Sequence, residues 1–153
     1  MELRISYSTV APEGIQALSG LEAYVRASGL EAGLLHLIKT RASQLNGCAY
    51  CIDMHTKDAR AGGETEQRLY ALSAWRETPF YTDRERAALA WAEAVTLVSQ
   101  GPLPDDLYAE ARAHFSEKAL VDLTLAIIAI NGWNRLSVSF HTVPGTYQPM
   151  SHG

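Results

Sequence analysis

Cysteine is scarce in this sequence, with two among 153 residues, and so is proline, with six. Two cysteines cannot build a small disulfide scaffold. So few prolines, beside 47% hydrophobic and 20% charged residues, argue against intrinsic disorder. Long apolar runs are missing too, since the longest, Leu125–Ile130, falls far short of the roughly 20 residues that a bilayer needs. Positive charge is not in excess: 13 basic against 17 acidic residues give −4, with no run of Lys and Arg to follow a phosphate backbone. These absences argue against a membrane span and against nucleic acid as a partner. The start, Met-Glu-Leu-Arg-Ile-Ser-Tyr, lacks the basic and apolar regions of a secretory signal, so the expected compartment is the cytoplasm. A reducing cytosol disfavours a permanent structural disulfide and leaves redox chemistry or metal binding as the uses of a close cysteine pair.

What is present is enough apolar material for one domain over residues 1–153, arranged at helical spacing. Leu18, Leu21 and Val25 mark a helix from Pro12 to Ser28, stopped by Gly29, and Leu34, Leu35, Leu37, Ile38, Ala42 and Leu45 mark one from Leu30 to Leu45. Asn46-Gly47 turns the chain, and a third helix runs from Cys48 to Ala61 before Gly62-Gly63. A fourth is expected over Glu64–Arg76, and Thr82-Asp83-Arg84-Glu85 has the form of a capping box opening a fifth that reaches Ser99. Pro104–His114 and Glu117 to about Ser137 complete an all-α bundle of about seven helices. The segment before Pro12 and the tail from Thr142 read as irregular.

Chemistry concentrates at Asn46-Gly47-Cys48-Ala49-Tyr50-Cys51-Ile52-Asp53-Met54-His55, a CxxC followed by a histidine where a helix begins. On a helix, Cys48, Cys51 and His55 project from one face. Unpaired amides and the positive end of the helix dipole favour a thiolate, and the imidazole can take its proton. A thiolate of this kind attacks a peroxide oxygen or a disulfide sulfur, and the second cysteine resolves the product. The plainer alternative is two cysteines buried as small hydrophobes.

The sequence resembles the carboxymuconolactone decarboxylase family, in its alkylhydroperoxidase D-like branch. The resemblance rests on Leu34-Leu35-His36-Leu37-Ile38-Lys39, on Ser43 through Cys51, and on His55 with Ala59-Arg60. It continues in Arg84 through Trp91 and in Asn131-Gly132-Trp133-Asn134-Arg135. It implies an all-helical subunit in a homotrimer or homohexamer, with no cofactor, acting on a peroxide and reduced by a dithiol donor such as a lipoylated or thioredoxin-like protein. It also implies that Cys51 is the peroxidatic thiol, Cys48 the resolving one and His55 the relay histidine. The decarboxylase branch lacks the cysteine pair, which argues against lactone chemistry here. At position 36 the peroxidase-like members carry a glutamate that ends the relay, and this sequence has His36. Glu31 lies more than a helical turn away and cannot take its place. Either a neutral His36, with an ordinary pKa of about 6.5, accepts the proton with a different pH profile, or the relay is weakened. Tyr50 stands where a histidine sometimes lies between the cysteines and reads as a pocket wall.

Two further readings stay open. Cys48, Cys51, His55 and His36 have the donor composition of a closed zinc site, although a CxxC at a helix start sits too close to its own histidine for regular tetrahedral geometry. A non-catalytic oligomer could instead hold a small apolar ligand against Trp75, Trp91, Trp133 and Tyr50, residues that at helical spacing are more often core. On its own, His36 reads as a histidine bonded to a backbone carbonyl. Glu85, Glu93 and Asp122 are expected to cap helices or to be solvated, and Asn131, Asn134 and Arg135 to satisfy terminal carbonyls or bridge subunits.

Overall fold

The computed structural model describes residues 1–150, and within them eight α-helices and two 3-10 helices account for the regular structure, with no strand. In order they are α1 (Tyr7–Val10), α2 (Pro12–Ala27), α3 (Ala32–Leu45), α4 (Ala49–Ala61), α5 (Glu66–Ala71), α6 (Asp83–Thr96), α7 (Asp105–His114) and α8 (Glu117–Phe140). The 3-10 helices are Leu72–Glu77 and Val98–Gln100. The sequence signals explain most of the boundaries. Pro12 opens α2, Ser116 caps α8 by accepting from the Ala119 amide, and Thr82 with Glu85 forms the expected capping box of α6.

Helix α3 is the centre. Leu34, Leu35, Leu37, Ile38 and Ala42 are buried, and so are Lys39, Thr40 and Ser43, because α4, α6 and α8 pack around it. Val25, Leu35, Ile38, Ala88, Leu123 and Ile127 share one apolar cluster, and Ala42, Cys48, Cys51 and Ile130 form a smaller one that anchors the start of α4.

Four expectations are corrected. The stretch before Pro12 is not wholly irregular, because the Ser6 carbonyl accepts from the Thr9 and Val10 amides to make α1, and the Tyr7 ring lies 6.1 Å from Phe140. The single helix expected over Glu64–Arg76 breaks into α5 and a 3-10 segment, with Ala74 at φ −118° and ψ 31°. Packing decides this: Trp75 is buried and its indole N–H donates to Glu93 at 2.9 Å, which a continued α-helix would have to forgo. Helix α6 stops at Thr96 rather than Ser99. Helix α8 runs past Ser137 to Phe140, closed by His141 in the left-handed conformation at φ 55°. The tail is irregular from Thr142 to Met150, as expected, while residues 151–153 of that segment lie outside the described ones.

Candidate functional site

One corner of backbone positions the cysteines. At the end of α3 the Cys48 amide donates to the Ser43 carbonyl at 3.0 Å and the Gly47 amide to Gln44 at 3.2 Å, the paired bonds of a Schellman motif. That motif needs a left-handed residue, and Gly47 supplies it at φ +65°. Cys48 then becomes the N-cap of α4, its sulfur accepting from the Cys51 amide at 3.3 Å. Polar side chains fix the corner to α8. Asn46 donates to Asn131 at 3.0 Å and Asn134 at 2.9 Å, and Asn134 donates to Ser43 at 3.0 Å. Asn131 and Asn134 sit inside α8, so they hold this corner instead of capping a helix end, and Arg135 donates back to the Asn131 carbonyl at 3.1 Å.

Cys48 and Cys51, both buried, are joined in a disulfide with their Cα atoms 5.3 Å apart. The two are not equivalent. Cys51 lines a cleft of about 940 Å³, and Cys48 is not among its lining residues. Most of the lining is apolar and includes Tyr50 and Trp133, the walls expected from the sequence. Trp75 and Trp91, expected there too, are core residues instead, and the Trp91 indole donates to Thr124 at 3.0 Å.

One turn beyond Cys51, His55 is 8% exposed, and His36 reaches the same part of the cleft from α3. His36, His55 and Asp58 bring a nitrogen each from the imidazoles and a carboxylate oxygen within 4.8 Å of one another. The Nδ1 atoms of both histidines are buried without a hydrogen-bond partner, so His36 does not make the carbonyl bond expected of it. Burial pushes the His55 pKa down to about 3, helped by the charges of Lys39 and His36, so His55 is a neutral imidazole. Burial also lowers His36, and the Asp58 charge opposes it. The sulfurs are engaged with each other and stand outside this cluster. The histidine–carboxylate group offers three donors, one short of a closed zinc site.

Sequence reasoning missed three polar groups here. Asp58 follows His55 by three positions on α4, a spacing that does put both on one face. Lys39 interrupts the apolar stripe of α3 and pairs with Glu22 of α2; burial lowers it to about 8, while Asp58 favours its charge. A charge inside an apolar stripe was a usable signal. Tyr147 was not foreseeable: the tail folds back, the Lys57 ammonium donates to its carbonyl at 3.0 Å, and its hydroxyl donates to Asp58 at 2.7 Å. Of the weaker candidates, Glu85 caps as expected. Glu93 and Asp122 do not: Glu93 is held among Arg41, Trp75 and Arg76, and Asp122, 2% exposed, accepts from Tyr24 and Lys118.

The sequence model of the carboxymuconolactone decarboxylase family matches residues 11–94. YdfG of Bacillus subtilis (strain 168), an uncharacterized protein, is 49% identical over 139 residues, which cover 91% of this chain and 95% of that one. The crystal structure of an Agrobacterium tumefaciens protein of unknown function, described as a candidate antioxidant defence protein AhpD, superposes with a TM-score of 0.92 at 47% identity. That match covers 95% of this chain and 100% of the other. The debrominase Bmp8 shares the fold, with a TM-score of 0.75 at 22% identity over 88% of this chain and 73% of its own. The chain belongs to the carboxymuconolactone decarboxylase family, with alkylhydroperoxidase D-like neighbours and the CxxC pair Cys48–Cys51. No helix among the described residues is long and apolar enough to cross a membrane.

Proposed function

We propose that the protein is a thiol-dependent peroxidase that reduces organic hydroperoxides with Cys51 and Cys48. One observation carries the reading: of two cysteines able to form a disulfide at a helix N-terminus, Cys51 is the one that lines an apolar cleft, with two histidines beside it. The reduced Cys51 thiol gives its proton to the relay through His55, and its thiolate attacks the outer peroxide oxygen. The O–O bond breaks, the alkoxide takes a proton and leaves as an alcohol, and Cys51 becomes a sulfenic acid. Cys48 attacks that sulfur, the S–S bond forms and water leaves with the Cys48 proton. A dithiol donor, of the lipoylated or thioredoxin-like kind, then returns two electrons and two protons and is itself oxidised to a disulfide.

Assembly into a homotrimer or homohexamer belongs to the same proposal, supported by exposed Val121, Ile128 and Val138 on α8. The test is the intact mass of the reduced protein before and after one equivalent of an organic hydroperoxide, with thiol trapping, under denaturing and native spray. Loss of two hydrogens and of both trappable thiols, prevented by Cys51→Ser, is expected, and the native mass counts subunits. Thiols that stay reduced, with a native mass carrying a chelatable metal, would replace this reading with the zinc site of Cys48, Cys51, His55 and His36.

A further inference from the structure

The cleft holds three carboxylates, and they are not in equivalent states. Glu22 is paired with Lys39, and Glu64 with Arg68 at 2.8 Å. Asp58 has no cation bonded to it: among the described residues its side chain accepts one hydrogen bond, from the neutral Tyr147 hydroxyl. Its remaining capacity lies beside His36 and His55, whose buried Nδ1 atoms are without partners.

This matters because position 36 lacks the carboxylate expected to end the relay. We propose that Asp58 supplies it from the other helix, holding His36 so that the proton leaving Cys51 passes through His55 to a His36–Asp58 pair. The inference rests on the peroxidase reading and adds to it a positioning residue that acts through His36. Proton and charge balance: His55 takes the Cys51 proton at one nitrogen as it releases another from the second nitrogen to His36, leaving a thiolate, a neutral His55 and a His36 imidazolium against the Asp58 carboxylate. A neutral shuttle suits His55, since burial and the neighbouring positive charges disfavour an imidazolium there. Among the described residues, the other ionisable side chains lining this cleft are Tyr7 of α1, Glu22 and Arg26 of α2, Lys39 of α3, Tyr50 of α4, Glu64 and Arg68 from the next turn and helix, and Tyr147 of the tail. Burial raises Tyr147 to about 12, so it remains a donor to Asp58.

The experiment compares reduced native protein, Asp58→Asn, and Asp58→Asn with His36→Glu. Asparagine keeps an acceptor for the Tyr147 hydroxyl and removes only the charge. The rate of thiol consumption by cumene hydroperoxide is expected to fall about ten- to a hundredfold in Asp58→Asn, part of the 10²–10⁴-fold that a positioned acid–base group contributes. The acid limb of its pH profile is expected to move to lower pH. Adding His36→Glu, which returns a carboxylate to position 36, should recover most of the rate. A native rate in Asp58→Asn, or a loss that His36→Glu does not recover, overturns the proposal. The His36 imidazole titration, followed by NMR without peroxide, separates this from failure of the peroxidase reading: it should fall in Asp58→Asn and rise in Tyr147→Phe, where Asp58 is freed from the phenol. If native protein ignores hydroperoxide while His36 still responds, the peroxidase reading fails and the Asp58–His36 coupling stands. If His36 does not move in either variant, the coupling itself is refuted.

Discussion

Asn46, the residue that ends α3, donates its side-chain amide to Asn134, a fully buried residue of α8, at 2.9 Å. Asn134 in turn donates to Ser43, whose hydroxyl donates to the Lys39 carbonyl at 2.7 Å. The corner that presents Cys48 is therefore tied to the longest helix by a polar network inside an apolar core. Buried polar networks are costly when half satisfied. Asn134→Leu should cost about 1–3 kcal/mol in urea unfolding of the reduced protein, the range for stranding buried polar partners. Asn131→Ala, at a half-buried position, should cost less.

Gly47 gives a cleaner test of the same corner. Its φ of +65° is the left-handed region, yet a Cβ built there meets no atom within 4 Å. Any cost of substitution is then conformational and not a clash. Gly47→Ala should lower stability by about 1–2 kcal/mol, and Gly47→Asn by less, because asparagine tolerates this region. Denaturation midpoints of the two variants check the order. An asparagine variant less stable than the alanine one would mean that the Schellman turn is not what fixes the site.

Much of this was legible in the sequence for physical reasons. Helix α6 announced itself through Thr82 and Glu85, and the Asn46-Gly47-Cys48 turn through a residue pair with few alternative uses. Periodicity identified α3 and α8 because their apolar stripes are broad. The segment around Trp75 was not legible, since its 3-10 geometry follows from an indole reaching Glu93 on α6, a contact no local pattern encodes. Helix α1 was missed because four residues carry too little periodicity to register. In the site, Cys48, Cys51 and His55 came from spacing on one helix and His36 from the family resemblance. Asp58 lies on the same face as His55, but a lone carboxylate on a helix is commonplace and carries no signal of its own, and Tyr147 joins it only through the folded tail.

Both cysteines are buried, but only Cys51 lines the cleft, and this predicts unequal variants. Cys48→Ser keeps a side-chain oxygen at the N-cap, where serine is a preferred residue, so the start of α4 should survive the change. Without a resolving thiol, one equivalent of hydroperoxide should leave a sulfenic acid on Cys51, visible as a dimedone adduct in the intact mass. Cys51→Ser should give no adduct. Equal trapping in both variants would reverse or abolish the assigned roles.

Glu93 predicts how stability depends on pH. Burial pushes its carboxyl up, but donors from Trp75, Arg41 and Arg76 outweigh this and hold it below the ordinary 4.5. A carboxylate whose folded pKa is depressed stabilises the native state above its unfolded pKa, and that contribution disappears as pH falls through the folded value. Glu93→Gln removes the charge and leaves Arg41, whose side chain is 14% exposed, without its ion pair. The expected loss at neutral pH is about 2 kcal/mol, the scale of a buried hydrogen bond to a charged group. Titrating unfolding midpoints of both proteins downward from pH 7 should show a constant gap to near pH 5, then convergence as the native carboxylate protonates. A gap that persists unchanged into strong acid would assign the cost to lost packing instead of to the Glu93 charge.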